Sequence, residues 1–133
     1  MAGLLVSFAA GAAGTVRDAA PDVAADLVFV ASCPDPAGAA GSRVLVFRRG
    51  FEHVSSEVYL QWLEWNEDGP RVIASARVAE LSSGMWSVGE PVLVSRRSCS
   101  LRLAASNPFS SETARFVLRP AGRGKYVIRE LAR

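Results

Sequence analysis

The chain predicts an all-β fold, a mainly antiparallel β-sandwich or small barrel of about eight strands. Three features of its 133 residues point there. From residue 25 onward, runs dominated by β-branched, aliphatic and aromatic residues follow one another. Clusters of Gly, Pro, Asn, Asp and Ser separate these runs at a spacing of roughly ten to fifteen residues. No stretch sustains the 3.6-residue periodicity of a long amphipathic helix. Isolated hairpins cannot bury both faces of so much Val, Leu and Ile, so the strands must stack in two layers or close on themselves.

Strands are expected near 26–33, 43–49, 56–65, 71–80, 85–94, 99–105, 113–119 and 125–131. The first ends at Pro34-Asp35-Pro36 and the Ala-Gly run behind it, and the second at Gly50. The third carries Val58, Leu60 and Trp62 on one face and Tyr59, Gln61, Leu63 and Trp65 on the other, so bulky groups on both sides make it a central strand. Asn66-Glu67-Asp68-Gly69-Pro70 turns the chain into the fourth strand, and Ser82-Ser83-Gly84 into the fifth. Ser106-Asn107-Pro108 and Pro120-Ala121-Gly122-Arg123-Gly124 supply the last two breaks.

This reading divides the chain into a leading segment, 1–25, and a single all-β domain, 26–133. Met1 to Gly14 is an apolar run rich in small residues that fits either the hydrophobic part of an export signal, without its leading positive charge, or an arm packing on its own or a neighbouring chain. Thr15 to Asp26 suits a linker or a short helix. No window holds the ~20 consecutive apolar residues that a membrane-spanning helix needs. Cys33 and Cys99 are compatible with one disulfide in an oxidising compartment and equally with two buried thiols. Location follows the same division: periplasmic or secreted if the leading segment is a truncated signal, otherwise part of a soluble assembly.

Net charge is only +2, but it is unevenly spread. Residues 1–90 hold six Arg and eleven acids, a balance of −5; residues 91–133 hold nine Arg or Lys and two acids, a balance of +7. Such asymmetry suits either an anionic partner or an internal match between the two halves. It concentrates in the final hairpin. With Pro120 to Gly124 as its loop, Arg119 pairs with Lys125, Leu118 with Tyr126, Phe116 with Ile128 and Arg115 with Arg129. Phe116, Leu118, Tyr126 and Ile128 then share an inner face, and Arg115, Arg119, Lys125 and Arg129 an outer one that Arg102 extends. Like charges directly opposite one another destabilise a sheet, so this face needs either a partner or the carboxylates of Glu57, Glu64, Glu130 or neighbouring loops, as a solvated face that protects the sheet edge.

The segment Phe116 to Arg129 also resembles the closing hairpin of a repeat in β-trefoil proteins of the ricin-type lectin and fascin-like families. The resemblance covers about a tenth of the chain and implies a β-trefoil-like alternative fold, with the pattern repeated three times at about forty residues. It transfers no sugar-binding residue.

Among aromatics, Trp62 and Trp65 are three apart in one strand and face opposite ways, so Trp62 belongs to the core and Trp65 is the candidate exposed ring. A single histidine, His53, excludes a two-histidine metal site within the chain. Glu52, His53, Ser55 and Ser56 lie together in an expected turn, and residues so close in sequence rarely meet in the geometry of an activated nucleophile without a third orienting group and oxyanion donors, so His53 reads as a surface-loop histidine. Gly122-Arg123-Gly124 lacks the helix start that turns a Gly-rich loop into a phosphate site. No cofactor is expected. The sequence pI of 8.8 and the lack of aromatics among the outer arginines argue against nucleic acid.

The expectation is therefore not an enzyme but a binding or accessory protein, an exported module of the envelope that docks a protein or anionic partner through its basic C-terminal face. The alternatives are a structural subunit of a larger assembly, such as a virion, phage-like particle or filament, and a carbohydrate-binding β module.

Overall fold

The computed structural model describes residues 18–20, 26–34 and 40–132, and within them the chain forms nine strands in two antiparallel sheets. Sheet A is a four-stranded meander of β1 (Leu27–Pro34), β2 (Ala40–Arg49), β3 (Ser55–Asn66) and β4 (Gly69–Arg77). Sheet B contains β5 (Ser87–Val88), β6 (Val92–Ser95), β7 (Ser100–Ser106), β8 (Thr113–Pro120) and β9 (Tyr126–Glu130). β7 pairs with β8 on one side and with β5 and then β6 on the other, and β9 forms the far edge. Neither sheet is closed. They follow one another along the chain and do not repeat one unit three times, as the trefoil resemblance would have required.

Period-two alternation sends Val44, Val46, Val58, Leu60 and Trp62 from sheet A into one core with Leu101, Leu103, Ala105, Ala114, Phe116 and Leu118 from sheet B. β3 is an interior strand and is buried on both faces: Val58, Leu60 and Trp62 point to this core, while Tyr59, Gln61 and Leu63 lie behind. On that second face Leu45, Phe47 and Tyr59 form a smaller cluster with Ala20 and Leu27, and the Phe47 and Tyr59 rings meet edge to face at 5.9 Å. A polar row crosses beside it. Arg43 Nε donates to Gln61 Oε1 (2.8 Å), Gln61 Nε2 to Ser75 Oγ (3.5 Å) and Ser75 Oγ to the carbonyl of Asp18 (2.8 Å). Asp18 to Ala20, in the stretch the sequence suggested as a linker, therefore lie against sheet A. The apolar run Met1 to Gly14 falls outside the described residues.

Three expected strands differ in extent, β2 beginning at Ala40 and not at residue 43. The strand expected over 71–80 stops at Arg77, because Val78 and Leu81, both fully buried, are brought to one side by a 3-10 turn at Ala79–Leu81. The strand expected over 85–94 is split into β5 and β6 at Gly89-Glu90-Pro91, where Pro91 cannot donate to the ladder. Between the sheets, buried Ser56 and Ser82 satisfy the backbone: Val88 N donates to Ser56 Oγ (2.8 Å) and Val58 N to Ser82 Oγ (2.9 Å).

Candidate functional site

The register of sheet B decides what its outer face carries. β8 and β9 pair Pro120 with Tyr126, Arg119 with Val127, Leu118 with Ile128, Val117 with Arg129 and Phe116 with Glu130. This is two residues away from the expected register, a correction that follows from a loop centred on Arg123. Gly122 and Gly124 both adopt positive φ there, and Lys125 N donates to the carbonyl of Gly122 (3.0 Å). A two-residue shift preserves the division of side chains between faces. Phe116 and Leu118 are buried, with Tyr126 and Ile128 packed against the core. What changes is the partner of each charge. Arg119 does not face Lys125, nor Arg115 face Arg129; Arg119 lies opposite Val127, Arg129 opposite Val117 and Arg115 opposite Ala104 of β7.

Across β7, Arg102 pairs with Val117 and Ala104 with Arg115. Val117 is therefore flanked by Arg102 on one strand and Arg129 on the other, with Arg115 and Arg119 two residues away along its own strand. Strand spacing and rise place the four arginines at the corners of a diamond with Cα edges of roughly 8 Å, so that neighbouring corners stand about one Debye length apart at physiological salt. All four are exposed. Val127 stands within this surface and Val92, opposite Arg102, borders it, each more than two-fifths exposed. Lys125 is exposed in the 121–125 loop, at the end of the diamond and not across from Arg119.

Of the carboxylates expected to neutralise this face, Glu57 and Glu64 lie on sheet A, and Glu130 sits in β9 opposite the inward-facing Phe116, not at an outer-face register position. Glu57 binds Arg49 (2.8 Å) and Arg77 (3.8 Å), and Glu64 binds Arg71 (2.9 Å), all on sheet A. Among the described residues, Arg102, Arg115, Arg119, Lys125 and Arg129 make no ion pair, although Arg115 Nη2 donates to the carbonyl of Ala132 (3.3 Å). Toward the opposite end of β7, where side chains shrink to Ala104 and Ser106, a shallow cavity of 670 Å³ opens between Ser87 and Gly89 on one side and Thr113 and Arg115 on the other. No family model, curated protein or solved structure matches this chain.

Cys33 and Cys99 are joined by a disulfide that ties β1 of sheet A to the 96–99 turn of sheet B. That turn carries Arg96 and Arg97, and the β8–β9 loop carries Arg123, three cations outside the expected set. The excess of charge in residues 91–133 contained them, but only the pairing of Leu101 with Leu118 brings the two turns to the same end of the sheet.

The remaining candidates stand apart. Trp65, 39% exposed, lies over Gly41 at the far end of sheet A and belongs to none of the ring pairs among the described residues. Trp62 and Trp86 are core residues, the latter edge-on to Phe116. His53 stacks on Phe109 at 4.5 Å with Nδ1 3.2 Å from the carbonyl of Pro108, while the Ser56 hydroxyl is engaged by Val88. Among the described residues no three His, Cys, Asp or Glu side chains gather as metal ligands, and no helix is long and apolar enough to cross a membrane.

Proposed function

We propose that the protein is a non-enzymatic binding module, a β-sandwich that docks an acidic surface of a partner protein through the outer face of sheet B. The observation that carries this reading is the diamond of Arg102, Arg115, Arg119 and Arg129 around Val117, with no carboxylate paired to it among the described residues. Four guanidinium groups held this close repel one another, and an occupant with carboxylates at sheet-like spacing removes that repulsion. The intervening valines favour a protein over a free anion, because they offer apolar contact that only a mixed acidic and apolar surface can use. The Cys33–Cys99 bond suits an oxidising compartment, which supports work outside the cytosol.

Binding to labelled poly-L-glutamate, measured by fluorescence anisotropy as a function of salt, tests the proposal. Wild-type protein binds at low salt and releases as salt rises, and Arg102→Glu/Arg129→Glu lowers affinity by at least about tenfold. Equal affinity of the double variant and wild type rejects this face as the docking site.

A second reading, a structural subunit of an assembly, draws on Asp18 and Ala20, which lie against sheet A. It requires self-association of the full chain, read by sedimentation.

A further inference from the structure

We infer that the docking surface continues past the sheet onto the 96–99 turn, where the Cys33–Cys99 disulfide positions Arg96 and Arg97 beside Arg123 and Lys125 as additional contacts for the acidic partner; this rests on the reading of sheet B given above. The pairing of Leu101 with Leu118 sets Ser100 level with Arg119, so the turn before β7 and the loop after β8 emerge at the same end of the sheet. Arg96, Arg97, Arg123 and Lys125 are all exposed there, and none makes an ion pair among the described residues. Residues 91–111 and 113–129 contain no Asp or Glu. Added to the diamond, these cations extend the basic surface to about 20 Å along the strand direction. An acidic stretch of protein chain can follow that length, whereas a single small anion cannot.

The disulfide is the device that holds the end in place. Cys33 Sγ and Cys99 Sγ lie 3.7 and 3.8 Å from the carbonyl oxygen of Arg96, so the bond packs directly against the backbone that presents the arginine pair. Cys99 has φ of 54°, in the left-handed region that a non-glycine residue adopts only when its surroundings impose it. Its anchor, Cys33, is 2% exposed in β1 and paired with Ser42, hence a rigid point on the other sheet. Without the bond, the turn retains its sequence and charge but loses its covalent tie to sheet A.

The variant Cys33→Ala/Cys99→Gly separates position from charge and from folding: glycine accepts the positive φ without strain, and the single methyl of alanine fits the buried site. Affinity for labelled poly-L-glutamate is compared for wild type, this variant, Arg96→Glu/Arg97→Glu, and the two combined, with near-UV circular dichroism reporting the fold. The expected result is at least a tenfold loss for Arg96→Glu/Arg97→Glu, a several-fold loss for the unclamped variant, and a smaller effect of the arginine changes once the clamp is absent. An arginine-pair variant that binds like wild type, while Arg102→Glu/Arg129→Glu has lost binding, overturns the extension and leaves the sheet face standing. Unchanged affinity of a folded, unclamped variant overturns the role of the disulfide. If wild type binds heparin but not poly-L-glutamate, the acidic-protein reading fails along with this one. If the unclamped variant does not fold, thiol reduction of native protein by excess dithiothreitol, which closes to its own cyclic disulfide as the Sγ–Sγ bond becomes two thiols, supplies the same comparison, again with circular dichroism.

Discussion

At the scale of single residues, Tyr126 shows how burial and a carboxylate act on one proton. Its ring packs against the core while its hydroxyl donates to Glu80 Oε1 across to the 3-10 turn. Burial first, then that hydrogen bond and the charge of Glu80, push its pKa up to about 12. A phenol whose folded pKa lies above its unfolded value near 10 stabilises the native state fully below pH 10 and ceases to do so as pH rises through 12. Wild-type stability, measured by urea unfolding at fixed pH, therefore falls between pH 10 and 12, and Tyr126→Phe makes that fall shallower while lowering stability at pH 7 by about 1 kcal/mol. Equal slopes in the two proteins would remove Tyr126 as the source. Glu80, Tyr126 and their partnership were invisible in the sequence, since 46 residues separate them and nothing local announces the contact.

Strands illustrate where local pattern stops being sufficient. Alternation in 56–65 was enough to identify a central strand, because apolar side chains on both faces of one run leave no solvent-facing side. In the last hairpin the inner and outer sets were legible, yet the register was two residues off. Side-chain period two makes a shift of two cost nothing in burial, so hydrophobic pattern cannot detect it; the positive φ of Gly122 and Gly124 selects the loop. The correction matters to the site, for it turns opposed charges into a diamond around valine. Pairing at the other end of the fold depends on a close approach: a Cβ on Gly41 would lie 2.8 Å from the carbonyl oxygen of Cys33 and 3.1 Å from Cα of Pro34, both backbone atoms. Gly41→Ala must push β1 away from β2 and is expected to cost about 1–3 kcal/mol in urea unfolding. A stability unchanged within error would mean that the β1 edge yields freely there.

For the molecule as a whole, composition and turn spacing made the all-β class legible, and the charge imbalance located the basic side. The disulfide was left open by sequence because its two cysteines stand 66 residues apart, and only the placement of β1 beside the 96–99 turn brings their Cα atoms to 5.7 Å. Closing a loop of that length removes enough unfolded-state entropy to contribute about 4 kcal/mol in the chain-entropy account. The order of the sheets along the chain has a further effect. Every strand of sheet A precedes residue 78 and every strand of sheet B follows residue 86, and the stretch between them exposes Ser83 and Met85 around Gly84, whose φ is 95°. A protease that cuts at Met85 thus divides the protein into two pieces, each with one complete set of paired strands, still riveted to each other through sulfur. Cyanogen bromide, which cleaves after methionine and leaves disulfides intact, acts within the fold at Met85, since Met1 is the other of the two methionines; it should yield a species of nearly undivided mass on a non-reducing gel that separates into two fragments once thiol is added, and separation without reductant would show that the bond does not span the cut. The protein is, in this sense, two sheets closed over one shared core and welded through sulfur across the connector.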